Sequence, residues 1–419
     1  MEHFIINGGK ALSGKIRVQG SKNGALPVLA AAVLVKGQCI IHNCPYLTDV
    51  DAAVEILKYL GCTVKRESST LTIDSGTINR YDIPEVLMRE MRSSIVFMGS
   101  VLGRTGKARM CAPGGCEIGL RPIDLHLSSL ETLGVCITNR MGVLECEAPN
   151  GIIGAEITLS FPSVGATENI MLASAVSKGT TTVTNAAREP EIDCLADFLN
   201  SCGADIHICG DGRVVINGVS SLHGTEHTVL PDRIAAATFV SAAAATNGDI
   251  LLQSVRPEHL KTVLSVFSDA GSEIEAYGDT IRIKGRGRLR MLRGVRTMPY
   301  PGFPTDAQAP VMAAACLADG TSIIVENIFE SRFKHAPGLI KMGAKIKIED
   351  RVAVIDGVER LYGARVEATD LRGGSALAVA GFAAQGTTRI YNIHHIDRGY
   401  EKFENSFASL GADIIRKSD

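Results

Sequence analysis

One pattern of glycines recurs six times along the chain, and it constrains the fold more than any other feature. The end of a helix and the start of a strand are marked by a five-residue pattern. It consists of a small or apolar residue, a glycine, two variable residues and then Ile or Val. These glycines, 68 to 73 residues apart, are Gly61, Gly134, Gly203, Gly271, Gly343 and Gly411. A second series runs in phase with the first and comprises Gly37, Gly106, Gly179, Gly248, Gly320 and Gly386. Self-similarity at a fixed period indicates repeated structural units, each with two helices that end at glycine.

The two helices of each unit differ in composition. The first is alanine-rich and apolar on all sides, as in residues 25–35, 234–245 and 309–318, and is typical of a buried helix. The second is amphipathic, as in residues 49–61. With the intervening strands, each unit is predicted to be β-α-β-α-β-β. Six such units need more core than one domain holds, so we expect two domains of three units, with a boundary near residue 229.

Composition excludes several classes of protein. The 419 residues are 45% apolar and carry a formal charge of −2, which gives no overall attraction to nucleic acid or anionic membrane. No apolar run reaches the length of a membrane span, and the N-terminus lacks a secretion signal, so a cytoplasmic protein is expected. The eleven cysteines form no C-x-x-C pair, and no H-E-x-x-H or P-loop motif occurs, so neither a metal nor a nucleotide cofactor is expected.

Polar and charged residues precede the first helix of every unit. The residues suited to cap these helices are Ser21, Ser163, Asp232, Thr305 and Asp370. The cations Lys22, Arg92 and Arg372 do not cap helices, and a cation at a helix N-terminus opposes the helix dipole unless both hold an anion. This pattern favours phosphate or carboxylate binding over ordinary surface charges.

A glycine-rich loop carries an isolated cysteine. Residues 112–122 read A-P-G-G-C-E-I-G-L-R-P, with Cys116 five residues before Arg121. The cysteine is either incidental or an accessible thiol activated by nearby positive charge. If the corresponding ends of the units face one cleft, Lys22, Arg92, Arg121 and Arg398 would together clamp an anion.

A basic stretch supports a different class of function. Residues 282–296 are rich in Lys and Arg and could contact RNA. The stretch lacks aromatic residues for base stacking, and the chain has no tryptophan. A solvated edge hairpin is therefore preferred to an RNA-binding surface, and no nucleic-acid partner is expected.

Several motifs resemble the enolpyruvyl transferase family, in particular the members that act on UDP-N-acetylglucosamine. They are G-S-K-N (20–23), M-R-S-S (91–94), P-G-G-C (113–116), S-V-G-A-T (163–167), N-A-A-R-E-P-E (185–191), L-P-D-R (230–233), F-P-T-D-A-Q (303–308), T-D-L-R (369–372) and H-I-D-R-G-Y-E (395–401). The resemblance covers the whole chain. It implies an α/β fold of two similar lobes, each of three β-α-β-α-β-β repeats around buried helices, an inside-out α/β barrel. The lobes would be residues 22–229, and residues 1–21 with 230–419.

The resemblance also implies a reaction. Enolpyruvyl would pass from phosphoenolpyruvate to the 3-hydroxyl of UDP-N-acetylglucosamine with release of phosphate, the first committed step of peptidoglycan synthesis, without metal or organic cofactor. Asp306 matches the base for the sugar hydroxyl, and Cys116 the loop cysteine that adds to phosphoenolpyruvate. The residues that match the phosphate and carboxylate ligands are Lys22, Arg92, Arg121 and Arg398. A monomer is expected.

Further matches concern the sugar nucleotide. Asn23, Ser163, Val164, Gly165 and Ile328 match positions that line it, and Pro122, Ile123, Asp124 and Leu125, with Arg121, match its uridine side. Asp370, Leu371 and Arg372 match a substrate-binding loop whose role stays open. Two alternatives remain within the same architecture, enolpyruvyl transfer to 3-phosphoshikimate and a catalytically silent paralogue. The first is disfavoured because members of that family carry a motif similar to S-K-S-x-x-N-R at the first helix and lack the P-G-G-C loop, whereas this chain has S-K-N-G and Cys116.

Overall fold

A computed structural model describes residues 2–114, 118 and 122–418 of the chain. Short strands alternate with helices throughout this part of the chain. The helices are α1 (Lys22–Ala31), α2 (Thr48–Leu60), α3 (Glu85–Glu90), α4 (Phe97–Thr105), α5 (Asp124–Thr132), α6 (Val164–Ser174), α7 (Pro190–Ser201), α8 (Arg233–Ala245), α9 (Lys261–Asp269), α10 (Thr305–Ala315), α11 (Ala336–Lys341), α12 (Leu371–Ala383), α13 (His394–Asp397) and α14 (Phe403–Ala408). Short 3-10 turns cover Ala32–Leu34, Arg92–Val96 and Pro257–Leu260.

The strands are short, and each of those described has two to six residues. They are β1 (Glu2–Asn7), β2 (Ser13–Arg17), β3 (Val35–Lys36), β4 (Gln38–His42), β5 (Thr63–Glu67), β6 (Thr70–Asp74), β7 (Lys107–Cys111), β8 (Cys136–Arg140), β9 (Val143–Glu147), β10 (Glu156–Thr158), β11 (Thr180–Thr184), β12 (Asp205–Ile208), β13 (Val214–Asn217), β14 (Leu222–His223), β15 (Glu226–Thr228), β16 (Asp249–Gln253), β17 (Glu273–Tyr277), β18 (Thr280–Lys284), β19 (Val295–Arg296), β20 (Thr321–Val325), β21 (Lys345–Glu349), β22 (Val352–Asp356), β23 (Arg365–Glu367), β24 (Thr387–Tyr391) and β25 (Asp413–Ser418).

The glycines of the first series follow helices directly or within three residues, as the sequence predicts. In the second series only Gly106 directly ends a helix, and the others lie further along, before a strand. Gly61 follows α2 with φ 106° and donates its N–H to carbonyls of the last turn, a conformation that favours glycine. Gly248 is the exception, because the left-handed residue there is Asn247, with φ 52°. A Cβ on Gly248 would lie 2.4 Å from the carbonyl oxygen of Leu12. At that position glycine is needed for close approach of backbone rather than for its dihedral angle.

The strands form many small sheets of one kind. The four-stranded sheets of the described residues have the orders β15-β4-β6-β5, β10-β11-β13-β12, β17-β18-β16-β2, β19-β20-β22-β21 and β23-β24-β1-β25. Each of them combines one parallel edge pair with two antiparallel pairs. The sheet β7-β9-β8 has three strands. Where the other sheets have a parallel edge strand, this one has a single parallel bridge between Asp82 and Arg109.

The chain divides into two compact units, each with its own core. One contains residues 20–114 and 122–230, and the other contains residues 2–19, Ile118 and 231–418. In the second unit the apolar helices α8, α10 and α12 pack on one another, and nearly every residue of α8 is buried. In the first unit α4 packs on α6, and α1 packs on α2 and α7. The alanine-rich composition allows these buried helices to approach closely.

The basic stretch does not form an edge hairpin, so that prediction is wrong: residues 282–284 end β18, and Val295–Arg296 form β19 in another sheet. Strand β18 lies between β17 and β16, and its Ile281 and Ile283 are fully buried. On the outer face, Arg282 donates to both carboxylate oxygens of Asp249 at 2.9 Å. Arg286 pairs with Glu273. Arg282 and Arg286 are thus paired with carboxylates of their own sheet, which reduces the positive charge that this strand presents.

Candidate functional site

The starts of the first helices carry the predicted capping residues, with one correction. Ser21, Ser163, Asp232 and Asp370 each accept a hydrogen bond from a backbone N–H in the first turn of the helix that follows. Thr305 does not cap α10. It is the first residue of that helix, preceded by Pro304, and its hydroxyl donates to Glu326 at 3.0 Å. The Glu326 carboxylate attracts the hydroxyl away from the helix N–H groups.

Lys22 is held by a buried carboxylate at the start of α1. Its Nζ donates to Oδ2 of Asp49 at 2.9 Å, and the Asp49 side chain is 3% exposed. Asn23 follows in the same turn and is half-buried. A buried ion pair of this kind fixes a flexible lysine in one direction. Lys22 is among the residues predicted from the sequence and Asp49 is not, although the first turn of α2, T-D-V-D, is acidic enough to suggest a partner.

Arg92 connects to the beginning of the glycine-rich loop. It opens a 3-10 turn, and its Nη1 donates to the carbonyl oxygen of Pro113 at 3.3 Å. The loop residues Cys116 and Arg121, to which the sequence analysis assigns roles, lie outside the described residues.

Two predicted substrate-binding segments lie against each other. Helix α5 begins at Asp124, directly after Pro122 and Ile123, with Leu125 in its first turn, and it packs on α6. A Cβ on Gly165, in the first turn of α6 after Val164, would lie 2.9 Å from the His126 ring. The starts of the two helices therefore meet at the Gly165 backbone.

The contact between α5 and α6 is supported by buried polar groups that sequence analysis did not identify. Nδ2 of Asn169 lies 2.7 Å from Nδ1 of His126, and both side chains are buried. Glu168 on α6 is buried, and this burial, with the nearby charges of Glu191 and Glu189, raises its pKa well above the usual range. Burial therefore favours the protonated form of Glu168.

Asp306 lies at the start of α10 between two arginines. Its Oδ1 pairs with Nη2 of Arg332, and its Oδ2 accepts from Nη2 of Arg372 at 3.1 Å. Both arginine side chains are 3% exposed, whereas Asp306 is 28% exposed. One carboxylate is thus presented at the surface by two buried cations. Arg332 is not among the site residues predicted from the sequence.

Arg372 is held on its other side by Tyr400. Nη1 of Arg372 donates to the Tyr400 hydroxyl at 3.2 Å. Burial alone would lower the pKa of this guanidinium, but the charge of Asp306 and the contacts with Tyr400 and Asp232 outweigh it and raise that pKa. The group is a permanent cation that depends on Asp306 for its counter-charge.

Asp370 and His335 lie beside this cluster. Burial opposes ionisation of Asp370, but the Arg332 charge and the N–H groups of Gly373 and Arg372 lower its pKa overall. Neither ring nitrogen of His335 has a hydrogen-bond partner among the described residues, and the ring is buried. Burial lowers the pKa of His335 to about 4, with Asp370 opposing and Arg332 adding to the shift. The histidine is therefore neutral above that pH.

Two further predicted residues belong to the same unit. Ile328 lies in a turn organised by the fully buried Glu326, whose Oε1 accepts from the N–H groups of Ile328 and Phe329 at 2.9 and 3.1 Å. Arg398 follows α13 and is half-buried. Among the residues with described coordinates, no group of three or more His, Cys, Asp or Glu side chains is placed to hold a metal ion. None of the helices described is both long and apolar enough to cross a membrane.

Comparison with known proteins agrees with the motifs. The sequence model of the EPSP synthase (3-phosphoshikimate 1-carboxyvinyltransferase) family matches residues 6–407. UDP-N-acetylglucosamine 1-carboxyvinyltransferase 2 of Caldanaerobacter subterraneus is 48% identical over 99% of this chain and 100% of its own. UDP-N-acetylglucosamine 1-carboxyvinyltransferase of Trichlorobacter lovleyi is 46% identical over the full length of both.

Solved structures show the same fold. The enolpyruvyl transferase NikO from Streptomyces tendae superposes with a TM-score of 0.89 at 26% identity, over 100% of this chain and 99% of its own. EPSP synthase from Acinetobacter baumannii, at 20% identity, has a TM-score of 0.77 over the full length of both chains. The chain therefore has the enolpyruvyl transferase fold and belongs to that family, among its UDP-N-acetylglucosamine 1-carboxyvinyltransferases.

Proposed function

We propose that this chain transfers the enolpyruvyl group of phosphoenolpyruvate to the 3-hydroxyl of UDP-N-acetylglucosamine and releases phosphate, the first committed step of peptidoglycan synthesis. The observation that carries the proposal is the 46 to 49% identity, over nearly the whole chain, with proteins of that name. The charged groups at the helix starts agree with two anionic substrates.

The reaction proceeds by addition and then elimination. In the addition, the sugar oxygen bonds to C2 of phosphoenolpyruvate while C3 gains a proton and the double bond is lost. In the elimination, C3 loses a proton, the C2–O bond to phosphate breaks, and the double bond forms again. Asp306 takes the proton of the sugar hydroxyl. Lys22, Arg92, Arg121 and Arg398 bind the phosphate and carboxylate and stabilise the negative charge on the leaving phosphate.

Cys116 adds to C2 of phosphoenolpyruvate as a thiolate, while the C2–C3 double bond is lost and C3 gains a proton; positive charge near the thiol would favour the thiolate. The glycines of its loop allow the loop to close over the substrates and exclude water, which strengthens the ionic contacts.

The sugar nucleotide contacts the ends of several helices. Asn23, Ser163, Val164, Gly165 and Ile328 line its sugar, and Arg121 with Pro122, Ile123, Asp124 and Leu125 lies on the uridine side. The close contact between Gly165 and His126 supports this assignment, because it leaves the starts of α5 and α6 adjacent. Asp370 and Arg372 belong to the substrate-binding set through Asp306: Arg372 pairs with its carboxylate, and Asp370 accepts from the backbone N–H of Arg372 at the start of α12.

We further infer that the domains are 22–229, and 1–21 with 230–419, each an inside-out α/β barrel of three repeats. The Cys116 loop belongs to the first domain, and Asp306 and Arg398 belong to the second. We infer a cytoplasmic monomer that needs no cofactor.

Transfer to shikimate 3-phosphate is the competing reaction, because the matching family model carries that description. A test of both acceptors measures phosphate release from phosphoenolpyruvate with UDP-N-acetylglucosamine or with shikimate 3-phosphate, and records the product masses. Release only with the sugar nucleotide, with the mass increase of a carboxyvinyl group, is the expected result. Phosphate release with shikimate 3-phosphate would instead indicate enolpyruvyl transfer to that acceptor. No phosphate release with either acceptor would indicate a catalytically inactive paralogue.

A further inference from the structure

Tyr400 occupies a buried position where three polar side chains meet its hydroxyl. The residue is 3% exposed. Its oxygen lies 2.8 Å from Oγ1 of Thr238 on α8 and 3.1 Å from Oγ of Ser375 on α12. It also accepts from Nη1 of Arg372 at 3.2 Å. A phenol has one proton to donate and two lone pairs, so the hydroxyl donates to one of Ser375 and Thr238 and accepts from Arg372.

Arg372 transmits this contact to the candidate base. The guanidinium is planar, and its nitrogens keep a fixed geometry. Because Tyr400 binds Nη1, the direction of Nη2 is set, and Nη2 donates to Oδ2 of Asp306 at 3.1 Å. The Tyr400 hydroxyl is thus connected to Asp306 through the rigid guanidinium of Arg372.

We propose that Tyr400 is a positioning residue for enolpyruvyl transfer. Its hydroxyl holds Arg372 so that the guanidinium keeps Asp306 ionised and aimed at the sugar hydroxyl. This inference rests on the proposed function of Asp306. In the step it serves, the O–H bond of the sugar breaks, the proton passes to the Asp306 carboxylate, and the electron pair stays on the sugar oxygen that attacks C2.

Several charged groups surround this carboxylate and its partner. They are Asp232 at the start of α8, Glu326, Arg332 and His335 between β20 and α11, and Asp370 at the start of α12. Arg332 stays paired with Asp306 when Tyr400 is changed, so only the Arg372 contribution should weaken.

The test is Tyr400→Phe, which removes the hydroxyl and keeps the ring. We expect kcat to fall about tenfold, with both KM values changed by less than about threefold, because binding groups are untouched. The acid limb of the kcat–pH profile should move up by about 0.5 to 1 pH unit, because a less well-held cation stabilises the Asp306 carboxylate less.

Thr238→Val is the matched control. It removes another hydrogen-bonding partner of the same phenol and leaves the contact between Arg372 and Tyr400. It should destabilise the protein to a similar extent but keep the pH profile of the wild type. An unshifted profile for Tyr400→Phe, or an equal shift for Thr238→Val, would overturn the proposal.

Two further experiments distinguish a failure of this proposal from a failure of the proposed function. If Tyr400→Phe does not fold, Arg372→Lys replaces it, since a lysine keeps the charge but cannot span both contacts, and the same shift is expected. If the wild type does not transfer enolpyruvyl, the proposed function fails, and the pKa of Asp306 is then read by carbon-13 NMR, with Asp306→Asn to assign the signal. A higher pKa in Tyr400→Phe supports the positioning role, and an unchanged pKa rejects it.

Discussion

Asp306 is paired on both carboxylate oxygens, and this pairing limits its chemistry. When it accepts a proton, Arg332 and Arg372 lose the carboxylate that pairs directly with both of them, while they stay buried. An uncompensated buried cation is costly, so the proton should leave Asp306 quickly. The arrangement suits a base that holds the sugar proton only briefly and passes it on to solvent before the next turnover.

Asp306→Asn tests the base directly. The amide cannot accept the hydroxyl proton, so kcat for phosphate release with UDP-N-acetylglucosamine should fall at least about a hundredfold. Asp319→Asn, at an exposed aspartate that pairs with Arg288, is the control and should retain the wild-type rate. A near-normal rate for Asp306→Asn would remove Asp306 from this role.

Cys116→Ser tests the nucleophile. The variant should form no covalent adduct with phosphoenolpyruvate, and intact-mass spectrometry would show the wild-type adduct missing. It should also resist epoxide inhibitors that alkylate the thiol. Cys136→Ser, at an exposed free cysteine on β8, is the control and should keep the adduct. An undiminished adduct in Cys116→Ser would place the nucleophile elsewhere.

His335 should make the stability of the protein depend on pH. Its pKa is about 4 in the folded chain against the ordinary 6.5, so below pH 6.5 the unfolded chain binds a proton that the folded chain does not. The stabilisation from neutral His335 is therefore complete above pH 6.5 and is lost as the pH falls toward 4. Between pH 7.5 and pH 5, the loss should be about 2 kcal/mol.

Urea denaturation at both pH values measures this loss. His335→Leu, which cannot titrate, should lose about 2 kcal/mol less than the wild type over the same range. Equal losses in the two proteins would show that the histidine does not titrate in this way.

At the level of elements, helices α4 and α6 cross where Gly99 faces Asn169. The Gly99 N–H donates to Oδ1 of Asn169 at 2.7 Å, and a Cβ on Gly99 would lie 2.4 Å from the Asn169 carbonyl oxygen. The amide of Asn169 also donates to the Ile95 carbonyl at 3.0 Å. No side chain larger than hydrogen fits at this crossing without separating the helices.

Gly99→Ala should therefore destabilise the protein by about 2 to 4 kcal/mol, even though alanine is the better helix former. Urea denaturation gives the difference. Gly210→Ala is the control, because a Cβ there would meet nothing within 4 Å, and it should change stability by less than about 0.5 kcal/mol. An unchanged denaturation midpoint for Gly99→Ala would mean that the helices can separate without cost.

At the level of the whole molecule, the two ends of the described chain meet in one sheet. Strand β1 lies between β24 and β25, with Glu2 opposite Ser418, and its Phe4 and Ile6 are fully buried. The N-terminal strand is thus part of a core made mostly by the C-terminal half of the chain.

A circular permutant tests this arrangement. The original ends can be joined by a short glycine-serine linker, and new ends opened at the exposed turn between Met141 and Gly142, where β8 joins β9. We expect cooperative unfolding and a phosphate-release rate within about threefold of the original chain. Deletion of residues 1–7 should instead abolish cooperative unfolding, because β24 and β25 lose the strand between them. A deletion variant with unchanged unfolding would contradict this account.

Local features of this protein could be predicted from its sequence. The helix ends at Gly61 and its counterparts, and the capping roles of Ser21, Ser163, Asp232 and Asp370, follow from steric and hydrogen-bonding rules that act within a few residues. The family could be predicted because its motifs keep their order along the whole chain. Thr305 is not the helix cap that its sequence context predicts, because its hydroxyl donates to the carboxylate of Glu326, which is distant in sequence.

Tertiary structure decided which distant residues meet. It places β18 inside its sheet, Asp49 beside Lys22, β1 between β24 and β25, and Asp306 within reach of Arg332 and Arg372. Periodicity shows which face of each element is buried, but not which other buried face it packs against. That choice depends on how all the apolar surfaces of a unit combine into one core, and the buried ion pairs form only after that packing has removed their water.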